Sequence, residues 1–552
     1  MKHIKYILLS AVVLGFTACN DVEDVLEANG ELPENIEHPA LTAGSANFSK
    51  FVSIGNSLTS GFTDNALFIA AQENSFPKML SEKFALVGGG AFTQPLMNDN
   101  FGGLLAGGTP VLNSEGNNRF GPRLYFYSDS NPECPDLTGP KTLGIDPTDS
   151  GSVAIGSTTD FILNNPVGPF NNMGVPGAAS FHLIATGYGN IANLAAGSAN
   201  PYFVRMTGAT PNATVLDLAL EQSPSFVSLW IGNNDVLGYA TSGGDPTLGE
   251  ITSQGLFDGS VANIISDLEA ANVQGVMANI PYVTTIPHFT TVPYNPLDPN
   301  DECTTFGAQV PLLNTTFAAL NDAFAFLGMP ERSITYSETE LSPLLIHDES
   351  LPNIQAQLNA VLIGGGLDAL TAGVLSAQYA QSRQATADDL LVLSSSAVIA
   401  TVNVPYYTQL VNAGVPAETA GQLSVNGVTF PLADRWVLLP SEQDEIKTAT
   451  DGFNATLQAA ATDAGFAFVD ANALMQELDN GGFSDGNFNL TSALVTGGAF
   501  SLDGVHPTSR GYALIANQFL KAIDAKYGSN FEASGNLLDI GDYPTNYSPM
   551  LE

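Results

Sequence analysis

The chain has 552 residues, with 16 Lys and Arg against 55 Asp and Glu, so its net charge is −39. A polyanion would be repelled over most of such a surface, which excludes nucleic acid as a partner. Hydrophobic residues make up 44% and charged residues 13%, with 54 Gly and 33 Pro; this excludes a disordered or fibrous chain and describes a loop-rich globular one. Beyond the N-terminal stretch, no run reaches the about 18 apolar residues a membrane helix needs.

Lys2 and Lys5 form a positive start, Ile7 to Phe16 an apolar stretch, and Thr17-Ala18 the small residues that precede a cleavage site. The next residue is Cys19, and Phe16-Thr17-Ala18-Cys19 resembles a bacterial lipoprotein lipobox, which implies a Cys19 that is lipidated and heads the mature chain. Loss of residues 1–18 removes Lys2 and Lys5 and leaves the rest more acidic still, so attachment to an anionic lipid surface is expected through acyl chains alone. Asn20-Asp21-Val22-Glu23-Asp24 opens an acidic stretch without periodicity, read as a tether over 19–48. Outer-membrane attachment is expected, with either face open to the domain.

Lys50 to Ile54 reads as a strand, followed by Gly55-Asn56-Ser57-Leu58 and, after Gly61, a mostly helical Ala66 to Phe84. About 88–169 is rich in Gly, Asn and Pro and reads as an irregular cover, with a further strand expected just before Asn171. The glycine-rich turn Asn172 to Ala178 lets a substrate oxygen approach a backbone N–H. Ser225 to Ile231 is an apolar strand ending in Gly232-Asn233-Asn234-Asp235, and a helix over Gln254 to Ala271 leads to a strand at Gly275 to Ile280. A second insertion, about 283–439, carries apolar small-residue stretches at Leu351 to Leu375 and Ala387 to Ala400, with helical spacing at Ile354, Leu358, Val361 and Leu362. These helices either pack on the core or on each other, or form a lid or acyl-binding wall over Ser57. The core resumes with a helix at Ser441 to Ala464, a strand at Phe466 to Asp470, the loop Ser501 to Pro507 and a helix from Thr508 to about Lys526. Strands alternating with helices require a parallel sheet covered on both faces, the α/β class.

A strand, a glycine turn, a serine and a helix place a hydroxyl at the carboxyl end of a strand beside free N–H groups. Asn234 projects an amide at the same edge, where open α/β sheets bind ligands. Asp503 and His506, three apart in one short loop, can turn to a common centre, the carboxylate orienting the imidazole. These pieces, in this order, resemble the SGNH hydrolases, the GDSL lipase and esterase family. The resemblance covers about half the chain and implies a flavodoxin-like three-layer αβα fold with a parallel sheet and two large insertions. It places the nucleophile on Ser57, the acid–base pair on Asp503 and His506, and the oxyanion donors on Ser57, Gly177 and Asn234. Asn56 stands where the family's name-giving motif has Asp.

The expected organisation is a lipoprotein signal peptide (1–18), the tether (19–48), a hydrolase domain (49–530) with insertions at about 88–169 and 283–439, and a tail (531–552). The resemblance implies a serine hydrolase cleaving carboxylic esters, with an acyl lipid as substrate; a carbohydrate O-acetyl esterase and an inert surface binding lipoprotein are the alternatives. His38, His182, His288 and His347 read as surface or core histidines, with His288 close enough to a strand end to line the site, and Asp235 reads as a turn-stabilising residue. Cys134 and Cys303 sit in loops of the two insertions and either pair or stay free. No Cys or His pair has metal-ligand spacing, so no metal and no cofactor is expected.

Overall fold

A computed structural model describes residues 38–113, 116–129, 138–144 and 157–551. The expected signal peptide, Cys19 and the tether up to residue 37 lie outside them.

Five parallel strands form the central sheet: β1 (Phe51–Gly55), β2 (Asn172–Gly174), β3 (Phe226–Trp230), β4 (Gln274–Ala278) and β5 (Ala467–Val469). Their spatial order is β2-β1-β3-β4-β5, all neighbours parallel. This is the flavodoxin-like doubly wound order, whose direction reverses between β1 and β3 and opens a crevice at their carboxyl ends. β1 and β3 are buried at every position, as apolar runs covered on two faces require. The strand expected just before Asn171 starts instead at Asn172, where its Asn172 side chain turns inward to bond the Thr59 carbonyl.

Helices α1 (Phe76–Ala85), α2 (Asn234–Thr241), α3 (Gln254–Ala270), α4 (Pro440–Asp463), α5 (Ala471–Asp479) and α6 (Ser509–Tyr527) complete the three layers. Phe226 and Trp230 share one face of β3 and meet Phe84 and Phe76 of α1 and Phe519 of α6. Val227 and Leu229 point the opposite way because strand side chains alternate. There α3 packs on α4, with Phe257 stacked on Phe453 at 4.0 Å between centroids. Among the described residues no helix is long and apolar enough to cross a membrane.

The two insertions are packed differently. In the first, Leu105–Ala106 pairs with Thr109–Pro110 and Leu124–Tyr127 pairs antiparallel with Gly139–Thr142, while Met97, Leu104 and Phe161 pack with Leu67, Tyr202 and Val204 from outside the insertion. In the second, helices Phe306–Phe326, Gln355–Gly364 and Ala369–Tyr379 bury Phe317, Leu358, Leu362 and Tyr379 in a separate hydrophobic cluster. Arg383 pins this unit with a bidentate pair to Asp389 at 2.6 and 2.7 Å. Cys303 is disulfide-bonded; Cys134 lies outside the described residues.

The segment expected as free tether is docked from residue 38 on. Phe48 stacks on Phe84 at 3.9 Å, Ser45 N–H donates to the Tyr527 carbonyl, and His38 Nδ1 lies 3.2 Å from the Ala533 carbonyl. The physical reason is apolar: Phe48 is buried against β3 and α1. The C-terminal tail is docked as well. The first insertion's Arg123, fully buried, donates from Nη2 to the carbonyls of Ser548 and Leu551 at 2.6 and 3.2 Å.

Candidate active site

β1 ends in Gly55, and the chain turns through Asn56 into one helical turn, Ser57–Ser60, closed by Gly61 in the left-handed region. Asn56 caps that turn: its Oδ1 accepts from Leu58 N–H at 3.0 Å, while its Nδ2 donates to Asn233 Oδ1 at 3.1 Å. A neutral amide both accepts and donates, so Asn at this buried position ties the end of β1 to the end of β3. The Ser57 hydroxyl is left at the sheet edge, 2.9 Å from Nε2 of His506.

His506 lies in the loop that enters α6, and its Nδ1 is 2.9 Å from Oδ2 of Asp503. Asp503 is held by every donor around it: Oδ1 accepts from the N–H groups of Val505 and His506, both at 2.8 Å, and from Ser501 Oγ at 3.1 Å, and Oδ2 accepts from Asn65 N–H at 2.8 Å. Burial alone would raise the Asp503 carboxyl, but the His506 ring and these donors hold it well below the usual carboxylate range. An ionised carboxylate only accepts, so Nδ1 of His506 carries its proton toward Asp503 and the Nε2 lone pair faces Ser57. Such an imidazole can take the serine proton and return it to a leaving group.

Gly177 occupies the turn after β2 with φ +80, a conformation that favours glycine. Asn234 opens α2 and donates one amide hydrogen to Ala178 O at 2.9 Å, which fixes the amide beside the Gly177 turn. Asp235, fully buried, accepts from Ser180 N–H at 2.8 Å and Ser180 Oγ at 2.7 Å. It therefore holds the Gly177 turn and the Asn234 turn in register. Asn234 thus lines the space beside Ser57 and His506, and the Gly177 turn is bonded to it through the Ala178 carbonyl.

Next to Ser57 and His506 opens a narrow slot of about 90 Å³ whose walls include Trp230, Leu237, Ile286, Met475, Leu478 and Leu514. These come from β3, α2, α5, α6 and the first turns after β4. Past Ile286 the helices Phe306–Phe326, Gln355–Gly364 and Ala369–Tyr379 of the second insertion supply none of the slot: Leu358 and Leu362 are 0% and 2% exposed inside their own cluster. For Leu351 to Leu375 the alternative of a lid is thereby corrected, because the apolar faces there already satisfy one another, whereas part of the Ala387 to Ala400 stretch does lie beside the catalytic loop. On the site's far side Thr291 and Val292, together with Leu393 and Ile399 of the same insertion, border a cavity of about 640 Å³ with His288, Asn65 and Asp503.

His288 donates its backbone N–H to Gly504 O at 2.9 Å, and both its ring nitrogens are buried without partners. His182 stacks on Tyr188 at 4.4 Å and takes Ala179 N–H on Nδ1; burial pushes it down to about 4. His347 lies in a hairpin of the second insertion. Sequence reasoning missed Asp64 and Asn65, which bond Leu502 and Asp503 respectively, each across 438 residues, and leave no local pattern. It also missed Glu349, Asp434 and Glu442, whose carboxylates converge where the second insertion meets α4. Burial there pushes Asp434 up to about 7 and Glu442 up to about 9, with Glu349 adding to both.

A doubly wound sheet with a serine, a histidine and an ionised aspartate hydrogen-bonded in series at its switch point defines a serine hydrolase acting on ester or acyl groups. The family model described as GDSL-like Lipase/Acylhydrolase matches residues 353–519, a span that holds Asp503 and His506 while Ser57, Gly177 and Asn234 precede it. That match, together with the site, supports the SGNH hydrolase family for the α/β domain. No curated protein and no solved structure matches it.

Proposed function

We propose that this chain is an acyl esterase of the lipase type that hydrolyses carboxylic esters of aliphatic acids through an acyl-enzyme on Ser57. The observation that carries the substrate class is the apolar slot beside Ser57 Oγ. Its polar lining is confined to Ser57, Asn233, Asn234 and His506, so an alkyl chain gains burial there, whereas a sugar ring would lose hydrogen bonds to water without replacement.

His506 Nε2 removes the Ser57 proton as Oγ attacks the ester carbonyl, and Asp503 holds the imidazolium that forms. The N–H groups of Ser57 and Gly177 and the Asn234 amide receive the oxyanion. His506 then protonates the departing alcohol, and water, deprotonated by the same nitrogen, releases the acid. We infer further that the chain is held to the bacterial outer membrane by acyl groups on Cys19, which the lipobox-like Phe16 to Cys19 supports.

The test compares kcat/KM for acetyl, butyryl, octanoyl and palmitoyl esters. Specificity should climb from acetyl to medium chains, each methylene worth about 0.8 kcal/mol until the slot is full. Strict preference for acetyl esters, together with release of acetate from acetylated glycans, would move the assignment to a carbohydrate O-acetyl esterase.

A further inference from the structure

The turn after the nucleophile helix is built from two left-handed residues that are not glycine. Asp64 has φ 49 and Asn65 φ 63, flanked by the paired Thr63 and Ala66. Such backbone is strained for most residues and is kept where its surroundings fix it. Here the polar groups of the turn meet the loop that carries Asp503 and His506. Thr63 Oγ1 donates to Pro507 O at 2.9 Å, Asp64 N–H donates to Ser501 Oγ at 3.0 Å, Leu502 N–H donates to Asp64 Oδ1 at 3.0 Å, and Asn65 N–H donates to Asp503 Oδ2 at 2.8 Å. Phe62 of the same segment lies against the His506 ring at 4.7 Å.

Asp64 is 1% exposed and meets charged or titratable groups from three other parts of the chain. Asp503 faces it from the catalytic loop, Arg123 from the first insertion and Tyr547 from the tail, and Tyr512 of α6 in turn interacts with Asp503 and Tyr547. Arg123 is itself clamped by the carbonyls of Asn100, Tyr547, Ser548 and Leu551. The insertion and the tail thus fix a buried cation near a buried carboxyl that adjoins the catalytic one.

We propose that Asp64 is a positioning residue of the active site, a second carboxyl that orients the Asp503 loop and, by changing its own charge, adjusts how well the loop stabilises the imidazolium. The proposal rests on the roles given above to Ser57, His506 and Asp503. Burial pushes Asp64 up to about 7; the Leu502 N–H bond and Arg123 act against this and Asp503 adds to it. Asp503 stays ionised throughout, so across neutral pH Asp64 is the carboxyl that gains a negative charge. That charge lies behind Asp503 and favours the positive charge developing on His506 during attack. Burial holds Tyr512 and Tyr547 neutral and pushes the His288 ring, which also faces Asp503, down from the usual imidazole range, which leaves the balance to Asp64, Asp503, Arg123 and His506.

The experiment is the pH dependence of kcat/KM in the full chain, wild type and Asp64→Asn. Asparagine tolerates left-handed backbone and keeps an acceptor for Leu502 N–H, but it never ionises. The wild-type rate should rise through two ionisations. Asp64→Asn should rise through one, coincide with the wild type at the acid end, and reach a plateau lower by roughly three- to tenfold. A merely structural role would lower the variant by one constant factor at every pH, and that outcome overturns the proposal, as does a variant superposable on the wild type. If the variant fails to fold, the wild-type profile decides alone: a rising limb described by a single ionisation also overturns it. Ser57→Ala separates this from the reading beneath it. Activity in Ser57→Ala removes the nucleophile assignment itself, whereas a dead Ser57→Ala beside a one-step wild-type profile removes only the role of Asp64.

Discussion

Ser57 is 8% exposed and its hydroxyl touches His506, not a core side chain. Ser57→Ala should therefore abolish ester hydrolysis and leave Tm nearly unchanged, as measured by turnover and thermal unfolding of the same preparation. Asn234→Ala removes one oxyanion donor, and kcat should fall by about 10²- to 10³-fold; a change confined to KM would assign the amide to substrate binding. At this scale the sequence is legible where function is written in short motifs. Ser57 follows a strand and a glycine, and Asp503 and His506 stand three apart before a helix. Asp64, Asn65 and Asp235 are another matter. Each acts on the site through a fold contact, Asp235 to Ser180 across 55 residues and Asn65 to Asp503 across 438, and no spacing within one sequence marks such pairs.

Four of the five parallel strands are legible because each is a short apolar run cut off by Gly, Asn or Asp; β2, Asn172-Met173-Gly174, has no such run, and the sequence places it a few residues too early. The use made of the second insertion's helices is not, since an apolar, small-residue helix has the same composition whether it walls a pocket or fills a core of its own. The two uses predict different mutants. Leu358→Ala should cost about 2–5 kcal/mol of stability in the second-insertion core while leaving the dependence of kcat/KM on acyl length unchanged. Met475→Trp in α5, within the slot, should shift that dependence toward shorter acyl chains. Where the insertion meets α4, the carboxyls of Asp434 and Glu442 are raised to about 7 and about 9 by burial. The folded chain holds these protons more tightly than the unfolded chain. Their contribution to stability is therefore complete below the ordinary carboxyl range and is lost as pH rises toward 9. Glu442→Gln, which keeps an acceptor for Leu439 N–H, should gain Tm over the wild type at pH 8.5 and show less gain at pH 5.

Across the whole molecule, charge leaves one mode of attachment to an anionic surface, the one proposed on Cys19. Cys19→Ser should move the folded chain from the membrane fraction to the soluble fraction, and continued sedimentation would point to a protein partner. The site has a further property that belongs to the chain as a whole. The Ser57–His506 hydrogen bond joins residues 449 apart, and the buried Arg123 waits for carbonyls as late as Leu551. Contacts of such sequence separation form slowly, because the loop must close before it is rewarded. A chain still being synthesised thus has a nucleophile without a base until His506 has been made, and an unclamped Arg123 until Leu551 has been made. Hydrolysis cannot begin before His506 is in place, and during refolding activity should return together with protection of the C-terminal residues from proteolysis.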